Sequence, residues 1–366
     1  MPQTTKPPDA GTTRATTAQT QTQSPLVDKI NSNTLMILST GSGLTYGPMA
    51  ADLATVLNDG DNLRILPAQG YSAYQNVRDV CYLRGIDMAF TRTNILGHWR
   101  RSGEIPDLDQ KIVYILKVAN GEENIIVKAP DITSIEQLRG KKVNFNQVGS
   151  GTQMSARDIF SAFKVGIEET NLSASDALQK LKDGEITAVV VTAGKPSPVL
   201  RRLKRSEGYR MIPIPLKDSL IGDYVPATLE HDDYPDLIPE GQSVDTLASG
   251  IVIIAYNWPK NSDRYRRIDK FVNALFPRLA EFQEPPRHEK WKDTILAANV
   301  PGWKRFDGAE QWLKNDREQQ LAANQDRFQQ FLTSRDPTTG GKVISEADRQ
   351  KLFEDFMRWM KQSTAR

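Results

Sequence analysis

Short apolar runs of strand length alternate with helical patterns along the first two thirds of the chain. The predicted strands are Leu35–Leu38, Leu63–Leu66, Ile86–Phe90, Ile112–Leu116, Val143–Phe145, Ala188–Val191 and Ile251–Ala255. The predicted helices between them are Pro48–Leu57, Tyr74–Leu83, Gln153–Phe163 and Ala174–Leu181. Strands that alternate with helices of about 10–12 residues indicate βαβ units and parallel sheets. The pattern therefore predicts an α/β fold.

After about Asp263 the pattern becomes purely helical, with helices predicted over Tyr265–Phe276 and about 308–332. A final helix has one apolar face, which consists of Leu352, Phe353, Phe356, Met357 and Met360. A chain of 366 residues is too long for one ordinary core, since domains mostly run to about 100–200 residues. We therefore expect two lobes, followed by a helical C-terminal extension over residues 301–366.

The N-terminal segment has a different composition from the rest of the chain. Its first 24 residues contain eight Thr and four Gln, and no Val, Ile, Leu or Phe. Such a segment buries too little apolar surface to offset chain entropy, so we predict a disordered leader over residues 1–33. The segment also lacks the apolar stretch of a signal peptide. Either the protein is cytoplasmic or a signal has been removed from this sequence.

Composition excludes several classes of function. The 47 Lys and Arg residues nearly balance the 45 Asp and Glu residues, and the net charge of +2 argues against a nucleic-acid-binding protein. The one cysteine, Cys81, excludes an internal disulfide, and the three histidines, His98, His231 and His288, lack metal-ligand spacing. No apolar run reaches the ~18 residues of a membrane span. We therefore expect no metal, no cofactor and no nucleic-acid partner.

Three junctions between a strand and a helix are rich in Gly, Ser, Thr and amide residues. They are Thr40–Gly47, Gln69–Ser72 and Asn146–Thr152. Hydroxyl groups and free helix-end N–H groups at such junctions can hold a carboxylate or a phosphate. They also cap helices without any ligand, and that interpretation stays open for each loop. A dinucleotide site and a P-loop do not fit, because strand two ends without an acidic residue and no Gly-Lys-Ser/Thr follows the first loop.

A series of motifs continues from these loops in a fixed order. It begins with Leu38–Tyr46 and Pro48, and it is firmest from Ser134–Val143 into Gly149–Thr152. Its other segments are Gln69–Ser72, Asp87–Phe90, Ala177-Leu178, Lys182–Gly184 and Ala193–Pro198. In order and spacing these motifs resemble the TAXI class of solute-binding proteins that serve TRAP transporters. The resemblance covers roughly residues 34–280.

The resemblance implies a two-lobed fold of the periplasmic-binding-protein type, with crossing strands at the hinge and a solute held in the cleft between the lobes. Lobe 1 would comprise residues 34–118 and 245–300, and lobe 2 would comprise residues 119–244. The resemblance also implies a periplasmic location, a secretion signal in front of this sequence, and delivery of the solute to the permease subunits of a TRAP-type transporter.

Two departures from the class flank the expected cleft. Thr91–Asn94 follow the third strand where the class tends to have an apolar-Gln-Ser-Asp sequence, and Gly47 replaces a common second Tyr in the opening loop. The usual solutes of the class, acidic amino acids and related dicarboxylates, are therefore not carried over. We expect a small anionic solute of the carboxylate or acidic amino acid type.

The expected ligand-binding residues lie on loops of both lobes. They are Ser42, Gly43, Thr45, Tyr46, Gln69, Ser72, Arg92, Thr93, Gly149, Ser150, Gly151, Thr152, Gly194 and Lys195. Arg92 follows a predicted strand at its carboxyl end, where open α/β sheets bind ligands, and a guanidinium there can grip a carboxylate with two hydrogen bonds. The alternative for Arg92 is an ion pair with a nearby Asp or Glu.

These loops offer hydroxyl and amide groups but no His, Cys or paired carboxylates, so we expect a binding protein without catalytic residues. An enzyme of the transferase or precursor-synthesis type, working in the same two-lobed cleft, stays open as an alternative, as does a ligand-sensing module. Turnover of a trapped ligand would favour the enzyme, whereas release of the unchanged ligand would favour the binding protein.

Overall fold

The computed structural model describes residues 25–40, 45–60, 62–335 and 345–363. The strands are β1 (Thr34–Ser39), β2 (Arg64–Gln69), β3 (Met88–Arg92), β4 (Ile112–Val127), β5 (Lys142–Asn144), β6 (Glu168–Thr170), β7 (Ala188–Ala193), β8 (Arg210–Ile212), β9 (Val225–Glu230) and β10 (Ser243–Tyr256). The helices are α1 (Pro25–Ser32), α2 (Tyr46–Leu57), α3 (Ala73–Tyr82), α4 (Thr93–Ser102), α5 (Leu108–Lys111), α6 (Gly151–Ala162), α7 (Ala174–Lys182), α8 (Asp263–Leu275), α9 (Leu279–Phe282), α10 (Asp307–Arg335) and α11 (Glu346–Ser363).

The described strands form one sheet with a parallel group at each end. The main strand order is β2-β1-β3-β10-β4-β7-β5-β6, with β8 beside β4 and β9 beside β10. Strands β1, β2 and β3 are parallel to one another, and so are β5, β6 and β7. We call the half built on β1–β3 lobe 1 and the half built on β5–β7 lobe 2. The predicted α/β fold with two lobes is confirmed.

The long antiparallel strands β4 and β10 join the two lobes. In lobe 1, β10 pairs with β3 through residues 251–255, and in lobe 2 it pairs with β9 through residues 243–248. Strand β4 pairs with β7 through residues 122–127. The crossing therefore lies close to Gly121 and Gly250, which pair with Ser249 and Asn120 respectively. The lobe boundaries set between residues 118 and 119 and between 244 and 245 stay predictions.

Each lobe has its own apolar core. Alternate residues of β7 show why the lobe 2 sheet is buried on both faces: Val190 packs in a cluster with Phe145, whereas Val189 and Val191 pack in another with Tyr234. This is the pattern of a parallel strand with helices on both sides, because successive side chains point to opposite faces. One larger cluster fills lobe 1.

The apolar pattern predicted the crossing strands to be shorter than they are. The strand predicted to end at Leu116 continues to Val127, through the buried polar sequence Glu122-Glu123-Asn124. Polar residues interrupt the apolar run that marks a buried strand, so the pattern stops early. Helix α4 was missed as well, because it begins directly after β3 without a loop of turn residues.

Part of the predicted leader is helical. Residues 25–32 form α1, which corrects the disorder predicted for them from composition, and residues 1–24 lie outside the described residues. No residue of α1 is buried. Contacts with α8 hold its C-terminal end, where Arg267 donates to the Asn31 carbonyl at 3.2 Å and Lys270 to Asn33 Oδ1 at 3.0 Å. These partners are 236 and 237 residues away, so local composition could not reveal them.

Two helices, α10 and α11, make up most of the described part of the C-terminal region, and the predicted extent of this region, residues 301–366, stays a prediction. Helix α10 packs on lobe 1 near its start, where Trp312 meets Phe276 edge to face with ring centroids 5.3 Å apart. Helix α11 packs on the C-terminal half of α10, where the ring centroids of Phe353 and Phe356 lie 5.2 and 5.5 Å from that of Phe328. Of the helices in the described ranges, none combines the length and the apolar character needed to cross a membrane.

A short 3-10 segment, Glu289–Asp293, connects lobe 1 to the crossing. Its Trp291 is fully buried in the lobe 1 core and donates to Asp52 Oδ2 at 3.1 Å. The neighbouring Lys290 reaches the crossing strand, where its Nζ donates to Glu122 Oε1 at 3.1 Å. Both side chains of this ion pair are at most 4% exposed. The pair therefore fixes the segment to β4.

We predict that Lys290→Met lowers the free energy of unfolding by about 3–5 kcal/mol at neutral pH, because it leaves the buried Glu122 carboxylate without its cation. Urea denaturation measures the loss. Burial raises the pKa of Glu122, and removing Lys290 removes a charge that opposes this rise. A raised pKa in the folded state gives stability that is present at low pH and lost as the pH increases. The deficit of the variant should therefore shrink on acidification.

The matched control is Lys292→Met, since Lys292 lies in the same segment and is exposed. Its free energy of unfolding should stay within about 0.5 kcal/mol of that of the wild-type protein. Equal losses for the two variants would contradict a structural role for the buried pair.

Candidate ligand-binding site

A cavity of about 380 Å³ lies between the two lobes, at the carboxyl ends of the parallel strands. Lobe 1 and the crossing strands line it with Thr40, Thr45, Tyr46, Tyr71, Ser72, Ala73, Arg92, Gly121 and Ile251. Lobe 2 lines it with Asn146, Gln147, Ser150, Gly151, Thr152, Ser173, Ala174, Ser175, Thr192, Ala193, Gly194 and Val199. This is the position at which open α/β sheets bind ligands.

Four helices begin at the wall of this cavity: α2, α3, α6 and α7. Three of them have a serine N-cap, and the hydroxyl groups of Ser72, Ser150 and Ser173 each accept from the backbone N–H of the third helical residue. The N–H groups of the first helical residues have no partner inside the helix. Together with the helix dipoles, these groups make the cavity wall favourable for an anion.

Arg92 ends β3 and is 3% exposed, but it lines the cavity. Its Nε donates to Ser249 Oγ at 2.7 Å, and its Nη2 forms an ion pair with the Glu123 carboxylate. Glu123 is 0% exposed, and its second oxygen accepts from Thr192 Oγ1 at 2.5 Å. Among the described residues, Nη1 of Arg92 forms no hydrogen bond. The structure thus shows the ion pair that the sequence left open as the alternative, in a residue that also faces the cavity.

Tyr46 gives the cavity a second polar group within an apolar setting. Its ring stacks on Phe90 with centroids 5.6 Å apart, and its burial raises the pKa of the phenol. The hydroxyl group therefore stays protonated at neutral pH. No side chain or backbone group of the described residues forms a hydrogen bond with it. A bound anion could accept that bond.

Hydrogen bonds across the cleft show that the two lobes are closed on each other. Tyr71 Oη donates to the Val148 carbonyl at 2.9 Å, and the Gly194 N–H donates to Thr45 Oγ1 at 3.2 Å. Beside the cavity, Asn94 of α4 donates to Ser155 of α6 at 3.0 Å. Each of these bonds joins one lobe to the other, so opening the cleft breaks them.

Two glycines allow this close approach. A Cβ atom on Gly151 would lie 3.0 Å from Ile95 Cδ1 in the other lobe. A Cβ atom on Gly194 would lie 2.6 Å from Cε of the buried Lys290 side chain, which would have to move. Both residues were predicted to bind the ligand, and both line the cavity. Their lack of a side chain is needed for the packing of the cavity wall.

Eight of the predicted ligand-binding residues line the cavity, namely Thr45, Tyr46, Ser72, Arg92, Ser150, Gly151, Thr152 and Gly194. Ser42 and Gly43 lie outside the described residues. That these residues bind a ligand stays a prediction.

Four predicted residues do not line the cavity. Gln69 is exposed at the end of β2, and Thr93 accepts from the Gly250 N–H at 3.0 Å. The Gly149 N–H, in the loop before α6, donates to Gln153 Oε1 of that helix at 2.7 Å. Lys195 Nζ pairs with Asp233 at 2.8 Å. Each of these polar groups already has a structural partner or faces solvent, which the motif order alone does not show.

Sequence reasoning missed several residues of the cavity. Tyr71, Asn146 and Gln147 belong to two of the loops that were singled out, but only Gln69, Ser72 and Gly149–Thr152 of those loops were chosen as ligands. The N-terminal end of α7, Ser173–Ser175, gave a usable signal, since a Ser precedes an apolar helical pattern. Glu123 gave none, because its role depends on a partner 31 residues away.

Residues 37–252, more than half of the chain, match the family model of the NMT1-like family. An ancestral arginine-binding protein bound to arginine is 16% identical, with 71% of this chain and 98% of that chain covered at a TM-score of 0.44. The GluR0 ligand-binding core from Nostoc punctiforme, in complex with L-glutamate, is 15% identical, with 71% of this chain and 99% of that chain covered at a TM-score of 0.42.

The periplasmic aliphatic sulphonate-binding protein from Escherichia coli is 18% identical, with 68% of this chain and 75% of that chain covered at a TM-score of 0.39. At identities and TM-scores this low, these structures carry no weight for the ligand or the partner of this chain.

We predict that Arg92→Ala lowers the free energy of unfolding by about 3–5 kcal/mol, because Glu123 would remain buried without a cation. Urea denaturation without any added ligand measures the change. The control is Arg278→Ala, which removes an ion pair with Glu281 between partners that are 41% and 53% exposed. That variant should lose less than about 1 kcal/mol. Unchanged stability of Arg92→Ala would mean that the pair does not hold the crossing together.

Proposed function

The chain belongs to the NMT1-like family, and from this premise we propose that it is a solute-binding protein that captures a small anionic solute between its lobes. The solute we propose is of the carboxylate type. The ligand-binding residues would be those of the predicted set that line the cavity, together with Tyr71, Asn146, Gln147 and the N-terminal end of α7.

The observation that carries this proposal is the convergence of four helix N-termini on one closed cavity. Each helix N-terminus is equivalent to about half a positive charge, and its first N–H groups have no partner within the helix. The described lining residues add hydroxyl and amide groups and the paired Arg92, and none of them carries a carboxylate. A carboxylate or similar anion is therefore the ligand to which these walls are complementary.

Lobe closure would supply the capture mechanism. The bonds that join Tyr71 to Val148 and Thr45 to Gly194 exist only when the lobes meet, and the ligand adds its own contacts to both lobes in that state. Binding therefore shifts the equilibrium toward the closed form. Micromolar affinity corresponds to about −8 kcal/mol, which a few charge-assisted hydrogen bonds in a water-excluding cavity can provide.

The partner we propose is a membrane permease of the TRAP type, with the binding protein working outside the cytoplasm. The motifs from Leu38 to Pro198 support this part, because their order and spacing resemble the TAXI class. A ligand-sensing module would use the same cavity and would differ only in its partner.

An enzyme would need a nucleophile with its base, or a general acid and base, at the cavity wall. Among the described lining residues the polar groups are hydroxyls, amides and the paired Arg92. The carboxylates of Glu122 and Glu123, near the crossing, are held by Lys290 and Arg92. This distribution favours binding over chemistry.

We predict that free carboxylic acids raise the melting temperature of the protein and that their methyl esters do not, since only the acids carry the charge that the helix N-termini favour. For the acid that binds best, Tyr46→Phe should weaken binding about tenfold or more. It removes a hydrogen bond to a charged group, worth about 1.5–3 kcal/mol, and leaves the ring stack on Phe90 in place. Isothermal titration calorimetry measures the affinities.

The control is Tyr82→Phe, because Tyr82 is exposed and does not line the cavity. It should leave the affinity unchanged. Stabilisation by esters as strong as by acids, or equal effects of the two tyrosine variants, would count against an anion site in this cavity.

A further inference from the structure

We propose that Glu123 sets the charge of the ligand: the cavity takes a solute with one negative charge, and it disfavours both a second negative charge and an ammonium group. This inference rests on the proposed function and narrows its solute class. Glu123 does not line the cavity, so it would act by neutralising the one charged side chain that does.

The first step is the charge of the cavity wall. Arg92 is the only charged side chain among the described lining residues. Its positive charge faces the Glu123 carboxylate, which is fully buried and forms an ion pair with it. The two charges cancel, so the helix N-termini supply the remaining positive potential. Those partial charges suit one carboxylate, whereas a second carboxylate would lack a cation of its own.

The second step is that Glu123 cannot leave its position easily. One carboxylate oxygen contacts Arg92, and the other accepts from Thr192 Oγ1 at 2.5 Å. The backbone carbonyl of Glu123 accepts a hydrogen bond from Thr246 Oγ1 on β10, and Glu123 pairs in register with Thr192 on β7. Arg92 is therefore already paired with Glu123 when a ligand enters the cavity.

The third step concerns ammonium groups. An α-amino acid needs an acceptor of negative charge for its ammonium group in a water-poor site, because an unpaired buried charge is costly. The described lining residues include no Asp or Glu. The apolar side chains of Val199, Ile251 and Ala193 suit an uncharged tail instead.

Three probes of one chain length test the charge rule: hexanoate, its dicarboxylate adipate, and its 2-amino derivative norleucine. The wild-type protein should bind hexanoate at least about tenfold more tightly than either of the other two, because the added charge finds no partner. In Glu123→Gln the ratio of the hexanoate affinity to the adipate affinity should fall about tenfold, because the charge of Arg92 is then free to meet the second carboxylate. Isothermal titration calorimetry gives each affinity.

The double variant Arg92→Gln with Glu123→Gln removes both charges and keeps the size of both side chains roughly the same. It should show the wild-type preference for hexanoate over adipate, since its cavity wall is again neutral. It also keeps the test open if Glu123→Gln alone fails to fold, because no uncompensated cation remains buried. A double variant that prefers adipate would contradict the proposal.

The outcomes separate this inference from the function it rests on. If hexanoate binds but Glu123→Gln keeps the wild-type preference, or if norleucine binds as tightly as hexanoate, the charge rule is wrong and the anion site stands. If neither hexanoate nor any shorter or longer homologue binds the wild-type protein, the proposed function itself is contradicted.

Discussion

Two adjacent glutamates in the middle of a buried strand each need a cation, and the sources of those two cations organise the molecule. Successive side chains of a strand point to opposite faces, so Glu122 and Glu123 cannot share one partner. Lys290 reaches Glu122 from the segment that returns from lobe 1, and Arg92 reaches Glu123 from the end of β3. Both cations come from lobe 1 sequence and meet the strand where it crosses to lobe 2.

This arrangement links stability to the binding site. The crossing strand, the end of β3 and the Lys290 segment meet at the floor of the cleft, so the groups that hold the lobes together also shape the cavity. Gly194 illustrates the link, because its N–H bonds to Thr45 in the other lobe while its missing side chain leaves room for Lys290. The same link explains why Arg92, which motif reasoning chose as a ligand grip, is first of all a partner of Glu123.

The sequence predicted the parts of this protein that are locally encoded. The α/β alternation and the helix cap at Ser72 follow from apolar periodicity and capping residues, and the structure has them, whereas α6 begins at Gly151, two residues before the predicted start at Gln153. The second half of β4 could not be read in this way, since Glu122-Glu123-Asn124 look like a loop until their distant partners are known. Helix α1 was missed for the same reason, because its contact with Arg267 of α8 joins residues that are 236 positions apart in the sequence. The NMT1-like family contains the chain, whereas membership in the TAXI class stays a prediction.

The central claim is that the cleft holds one small solute with a single negative charge and releases it unchanged. Native mass spectrometry of the protein, purified and then incubated with a small-molecule extract of its host cells, tests this most directly. The account predicts one non-covalent ligand per chain, recovered intact on denaturation, that carries one acidic group and no amine. A ligand that is chemically altered by the protein, a ligand with an ammonium group, or a protein that stays empty after incubation would contradict it.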